Sequence, residues 1–172
     1  MKTHNKIFNT FNKLIQTKAF DDITVLEICN EAHVSTSSFY RHYKDKYDVM
    51  NDNYKRILDQ YMHSKNNHNF EDIFINLFKM SKELHYLKNA FDYTGINSLG
   101  DFIYQYSYNT VIEMCKRKNI QFEDKDLLLL DVFCGGASIM YQHYILGKFD
   151  LSPQQAGKTL YQMFPDVFKI SW

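Results

Sequence analysis

Proline is nearly absent: the 172 residues contain two, Pro153 and Pro165. Cysteine is almost as scarce, and Cys29, Cys115 and Cys134 lie far apart with no Cys-x-x-Cys pair. An odd, sparse set of this kind suits thiols packed as small apolar groups in a reducing cytoplasm. Cys29 falls on a helix face expected to be buried, so it is not read as a redox switch. Charge of one sign is missing too, because 20 Lys and Arg balance 20 Asp and Glu. That balance argues against a generic polyanion binder. No sustained alternation of apolar and polar residues signals a strand. The most apolar stretch, Leu127–Leu146, is interrupted by Asp131, Gln142 and His143 and reads as a buried helix, not a membrane span. The N-terminus, MKTHNKIFNTFNK, is polar and helix-like rather than a signal peptide.

The usual marks of catalysis are also lacking. There is no G-x-S-x-G, no glycine loop to cradle phosphate and no carboxylate pair at a telling spacing. His63, His68, His85 and His143 form no metal-ligand pattern. The expectation is a protein that is not an enzyme and holds neither metal nor cofactor.

What remains is a strong helical signal. Ile7, Phe8, Phe11, Leu14 and Ile15 share one face of a helix predicted over about Thr3–Thr17. Further helices are expected at about 25–32, 36–43, 46–64, 70–86, 88–93, 99–118, 124–146 and 152–164. Gly147 suits the left-handed residue that ends the eighth. Ser152-Pro153-Gln154-Gln155 supplies a serine cap, a proline at the first helical position and a glutamine three residues after the cap for the ninth. The polar stretch Lys65–Asn69 is the expected connection between two parts of the chain. The reading is all-α with about nine helices: a three-helix helix-turn-helix domain over 1–50 and a second helical domain over 51–172.

The informative segment is FDDITVLEICNEAHVSTSSFYRHYKDKYDVM, residues 20–50. Thr24-x-x-Glu27 has the form of a capping box. Val25, Ile28, Cys29 and Ala32 line one face of the helix it opens. Ser35 can cap a second short helix, in which Phe39 and Tyr43, four residues apart, share the buried side. Thr36, Ser37, Ser38, Tyr40 and Arg41 point elsewhere and carry hydroxyl or guanidinium groups that bond to phosphates and base edges. Two short helices with a tight link at His33-Val34 and a polar outer face make a helix-turn-helix whose second helix would enter the major groove. Residues 1–56 hold nine Lys and Arg against seven Asp and Glu, a small basic excess that would leave one copy a weak binder.

The same segment resembles the N-terminal signature of the TetR family of regulators. The matching residues are Ile23-Thr24-Val25, Ile28, Ala32, Val34-Ser35, Ser38-Phe39-Tyr40-Arg41-His42-Tyr43 and Lys44-Asp45-Lys46, within about residues 6–54. The resemblance implies roles position by position. Thr24 would offer its hydroxyl to a phosphate, or serve as a cap alone. Thr36, Ser37 and Ser38 would face base edges. Tyr40 would meet the backbone or a thymine methyl, and His42 a phosphate. Lys46 would bind another phosphate beside the N-terminal dipole of its helix. Arg41 could reach a phosphate or form a surface ion pair. One departure is His33, where the family usually has glycine, so a left-handed residue is expected at a side chain that tolerates it at some cost.

The resemblance also implies a homodimer on a palindromic DNA operator, paired through the helices at about 124–146 and 152–164. Gly135-Gly136-Ala137-Ser138 would allow a close helix crossing, either at that two-fold axis or inside one copy. The C-terminal part resembles, more loosely, a subgroup of short regulators of dihydroxyacetone kinase operons. The expected function is a repressor released by an effector; the alternative is an activator controlled by a protein partner with no direct small-molecule ligand. Phe74, Phe102, Tyr106, Met114, Phe133 and Tyr141, with Phe78, Tyr104 and Tyr108, are the candidates to line a cavity, although ordinary core is the first reading of each.

Overall fold

A computed structural model describes residues 2–62, 66–84, 87–91 and 98–171. Among these residues nine α-helices follow in order: α1 (Thr3–Leu14), α2 (Val25–Ala32), α3 (Thr36–Tyr40), α4 (Lys46–Met62), α5 (Phe70–Glu83), α6 (Leu87–Phe91), α7 (Leu99–Arg117), α8 (Asp124–Ile145) and α9 (Pro153–Met163). The all-α reading therefore holds, and the starts of α2, α3, α4, α5, α7 and α8 fall where the sequence places them. Lys65, His63 and His85, and the expected helix ends at Ser64, Tyr86 and Tyr93, lie outside the described residues.

The chain divides into two compact units, one made of residues 1–58 and 84–99, the other of residues 59–83 and 100–172. The boundary falls inside α4, between Leu58 and Asp59, and α6 belongs with the first unit. Asn89 on α6 explains that membership: its amide donates to the Ile15 carbonyl at 3.1 Å and its own carbonyl accepts from Phe20 N at 3.3 Å. The polar connection at 66–69 lies inside the second unit. Asn67 is buried there because its side-chain amide donates to the Tyr61 and Met62 carbonyls at 2.8 and 3.1 Å, satisfying the end of α4.

In the first unit Ile7, Phe11, Leu14 and Ile15 turn inward from α1 to meet Ile28, Cys29 and Ala32 of α2 and Phe39 of α3. In the second unit α5 packs chiefly against α9. A cluster of rings fills the space around them: Phe74 lies 5.9 Å from Phe133 and 5.4 Å from Phe164, and Phe164 lies 4.8 Å from Phe70. Rings at such separations add to the area they bury. After α9 the chain makes a 3₁₀ turn at Asp166–Phe168, which Pro165 opens and which buries Phe168. That turn has no counterpart in the sequence reading.

Caps account for most boundaries. Ser152 and Gln155 form the expected reciprocal box, with Gln155 N to Ser152 Oγ at 3.2 Å and Ser152 N to Gln155 Oε1 at 2.9 Å. Gly147 has φ 77°, the left-handed value that ends α8. A second box, unanticipated, opens α8, where Glu123 N donates to Asp126 Oδ2 at 2.9 Å.

Candidate nucleic-acid interface

The helix-turn-helix is built by caps at three successive points. Thr24 is extended, and its hydroxyl oxygen accepts from Glu27 N at 3.1 Å. The Glu27 carboxylate pairs with Lys18 and also takes a weaker contribution from the Thr24 backbone N–H. The Lys18 contact pushes the Glu27 carboxyl below its ordinary range and the Lys18 amine above its own. At the far end of α2, Val34 N returns to the Cys29 carbonyl at 3.0 Å while His33 sits at φ 52°, ψ 51°. This is the left-handed closure that glycine usually supplies, realised with histidine. Ser35 then caps α3, accepting from Ser38 N at 3.1 Å.

Two anchors hold α3. Phe39 is fully buried, which contributes roughly 2–3 kcal/mol by apolar transfer. Tyr43, in the turn that follows, is buried as well, and its hydroxyl donates to Asp52 on α4. Burial of these two faces the rest of α3 outward. Thr36, Ser37, Tyr40, Arg41 and His42 are exposed, Tyr40 at 59%, and Ser38 is half-buried. The structure thus gathers Thr36, Ser37 and Tyr40 on one exposed helix. Among the described residues it records no hydrogen-bond partner for their hydroxyls. Ser38 differs: its hydroxyl oxygen accepts from Ser35 Oγ and from Arg41 Nη2, both at 2.9 Å. Arg41 is therefore drawn back along its own helix.

Lys46, expected to meet a phosphate, directs its ammonium inward. Nζ donates to the carbonyls of Phe20, Asp21 and Ile23 at 2.9, 3.1 and 2.9 Å, and lies 4.5 Å from the centre of the Phe20 ring. Burial pushes this amine below the ordinary lysine range, with Asp21 and Asp22 acting against that shift. The sequence reading also missed the cluster of His4, Tyr43, Asp52 and Arg56. Only the Asp52–Arg56 spacing of four had a local signal.

The six cavity candidates are distributed over α5, α7 and α8. Phe74 and Phe133 join the ring cluster beside α9. Tyr141 is fully buried against Phe78, 5.5 Å between ring centres. Phe102 and Tyr106 lie 5.7 Å apart on α7, and the Tyr106 hydroxyl donates to Asp59 at 2.6 Å. Met114 is half-buried near the end of α7. Cys29, Cys115 and Cys134 are free and buried, and burial raises each thiol, Cys134 to about 12. No group of three metal-binding side chains and no helix long and apolar enough to cross a membrane occurs among the described residues.

An N-terminal helix-turn-helix followed by a helical C-terminal unit defines a DNA-binding regulator fold. Residues 8–52 match the family described as bacterial regulatory proteins, tetR family. The match spans the helix-turn-helix segment and not the rest of the chain. Its fold is similar, along nearly its full length, to that of a TetR transcriptional regulator from Rhodococcus sp. RHA1, with 14% identity, 95% of this chain and 96% of that one covered, and a TM-score of 0.66. The dihydroxyacetone kinase operon activator DhaS is similar at 13% identity over 94% and 93% of the two chains, TM-score 0.60. Thermus thermophilus FadR, a TetR-family transcriptional repressor solved with lauroyl-CoA, is similar at 14% identity over 94% and 92%, TM-score 0.60. No curated protein sequence matches the chain.

Proposed function

We propose that the chain is a cytoplasmic homodimeric repressor that reads a palindromic operator with α3 and leaves it when an effector binds the C-terminal unit. The observation that carries this reading is the outward row Thr36, Ser37 and Tyr40, held on a helix whose opposite side is locked by Phe39 and Tyr43. Small hydroxyls approach base edges closely, and a phenol reaches a phosphate or a thymine methyl. Thr24 and His42 would add backbone contacts, and Arg41 one more if it leaves Ser38. Direct base readout by such short side chains is modest, so specificity would lean on the spacing of two copies.

Support for the second copy comes from α8. Leu128, Leu129, Val132 and Ile139 are exposed apolar residues at helical spacing, and the Cβ positions of Gly135 and Gly136 between them meet nothing within 4 Å. A soluble monomer rarely leaves such a stripe open, and a two-fold contact would bury it against itself. The two recognition helices would then sit about 34–36 Å apart, one DNA turn, and a shift of a few ångströms would lose one half-site.

A second reading has its own support. The name of the similar regulator DhaS says that it activates an operon, so this chain could act as an activator answering to a protein partner. Lauroyl-CoA bound to the similar FadR favours a direct small-molecule effector. Footprinting on DNA upstream of the chain's own gene tests the common core. A protected palindrome is expected, and no protection at moderate salt would count against both readings.

A further inference from the structure

Lys46 is the first residue of α4, and five residues separate α4 from the end of the recognition helix. Its three ammonium protons are all engaged by backbone carbonyls of the turn between α1 and α2. The last of these, Ile23, immediately precedes Thr24, the cap of α2. The Phe20 ring lies against the same ammonium, with the Tyr47 ring at 5.9 Å. A lysine has three donors and no more, so a phosphate could bind this group only by displacing a carbonyl.

We infer that Lys46 is a positioning residue: it ties the start of α4, and with it the exit of α3, to the entrance of α2, and so sets where the Thr24 hydroxyl and the α3 hydroxyl row stand relative to each other. The other end of the same tie is firm. Asp45 Oδ1 accepts from Asp48 N at 2.9 Å, and Asp48 Oδ2 accepts from Lys44 N at 2.9 Å, two bonds that fix the first turn of α4. The turn side is fixed by Asp22 N to the Ala19 carbonyl and Ile23 N to the Phe20 carbonyl, each at 3.2 Å. Lys46, with the Phe20–Tyr47 ring contact at 5.1 Å, joins two locally rigid pieces that both helices of the motif separate along the chain. Arginine is a poor replacement, because its donors lie in one plane at the end of a longer side chain and do not reproduce the compact tripod of the ammonium.

The inference rests on the DNA-reading function proposed above, and two variants separate the two. Lys46→Met keeps a chain of similar length over Phe20 and removes the donors. Lys46→Arg keeps the charge and spoils the geometry. On a duplex that the full-length wild type protects, both variants should bind roughly tenfold or more weakly. The salt slope of binding should stay at the wild-type value in both. Amide exchange of residues Phe20–Thr24, measured without DNA, should speed up in both. A phosphate contact gives the opposite pattern: Lys46→Met lowers the slope by about one unit, Lys46→Arg binds like wild type, and exchange in the turn is unchanged. Unchanged exchange at Phe20–Thr24 overturns the inference whatever the affinity. Failure of the wild type to bind any duplex would reject the proposed function and leave the exchange result to decide the tie.

Discussion

The Tyr43 hydroxyl donates to Asp52 Oδ2 at 2.7 Å, tying the turn after the recognition helix to the second turn of α4. Arg56 completes the arrangement, donating from Nε to Oδ1 at 3.2 Å and from Nη2 to Oδ2 at 3.1 Å. His4 stacks on the Tyr43 ring and brings Nε2 within 2.9 Å of the phenol and 3.3 Å of Asp52. Three parts of the first unit, α1, the turn after α3 and α4, thus meet at one carboxylate.

That carboxylate makes stability depend on acid. Burial raises the Asp52 carboxyl, but the bonds from Arg56 and Tyr43 outweigh it and hold the group below its ordinary value. A depressed carboxyl stabilises the fold above its unfolded value of about 4, and this contribution is lost as pH falls through the lower folded value. Asp52→Asn should therefore cost about 1–2 kcal/mol near neutral pH and flatten the acid limb of the stability curve below about pH 4. Urea unfolding followed at several pH values measures both. An acid limb identical in variant and wild type would show that the cluster does not couple to folding.

Gly157 on α9 lies directly against Ile75 on α5. A Cβ at Gly157 would come within 2.6 Å of the Ile75 backbone, which cannot move aside as a flexible side chain would. Gly157→Ala should lower stability by about 1–3 kcal/mol through overpacking, against a helix propensity gain of under about 1 kcal/mol. Thermal unfolding reads the difference, and an unchanged or raised melting temperature would mean that α5 and α9 are not so closely apposed.

His33 carries the left-handed turn at φ 52°. Removing the side chain relieves a strain on the order of 1 kcal/mol, offset in part by the greater freedom of glycine in the unfolded chain. His33→Gly should be neutral or stabilising by up to about 1 kcal/mol, while His33→Val, a branched residue, should destabilise more than any propensity scale suggests. Denaturant midpoints of the two variants decide it; a Val variant as stable as the Gly variant would place the turn in another conformation.

Most helix boundaries were legible because their signals are local. Ser152-Pro153 and Gly147 fix an end wherever the rest of the chain lies, and the inward spacing of Phe39 and Tyr43 foretells which side of α3 faces out. The contacts of Lys46 and His4 were not legible, and the reason is distance. Lys46 finds its carbonyls 23–26 residues away and His4 finds Tyr43 39 residues away, so neither contact leaves a periodic trace. Glu27 shows the same limit in small: the local pattern did not foretell its pairing with Lys18, nine residues back. The C-terminal rings were equally ambiguous in sequence, since a phenylalanine at helical spacing looks alike whether it lines a cavity or packs against Phe164.

The exposed α8 stripe offers a test that leaves the reading helix untouched. Val132 and Ile139 are exposed and lie far from α3 in sequence. Aspartate at both positions should leave the fold of each copy intact and shift the protein from dimer to monomer in sedimentation. Operator affinity should fall by at least about tenfold, because one half-site alone holds few phosphate contacts. A variant that remains dimeric would move the interface elsewhere.

The most direct measurement is selection of bound duplexes from a random-sequence pool by the full-length chain, repeated with Tyr40→Phe and with Thr36 and Ser37 both changed to alanine. The account predicts enrichment of a two-fold symmetric sequence whose half-sites are centred about 10 base pairs apart, with clearly weaker enrichment by both variants of unchanged stability. No enriched sequence, or a symmetric sequence recovered equally well by both variants, would contradict the claim that α3 reads DNA through its exposed hydroxyl row.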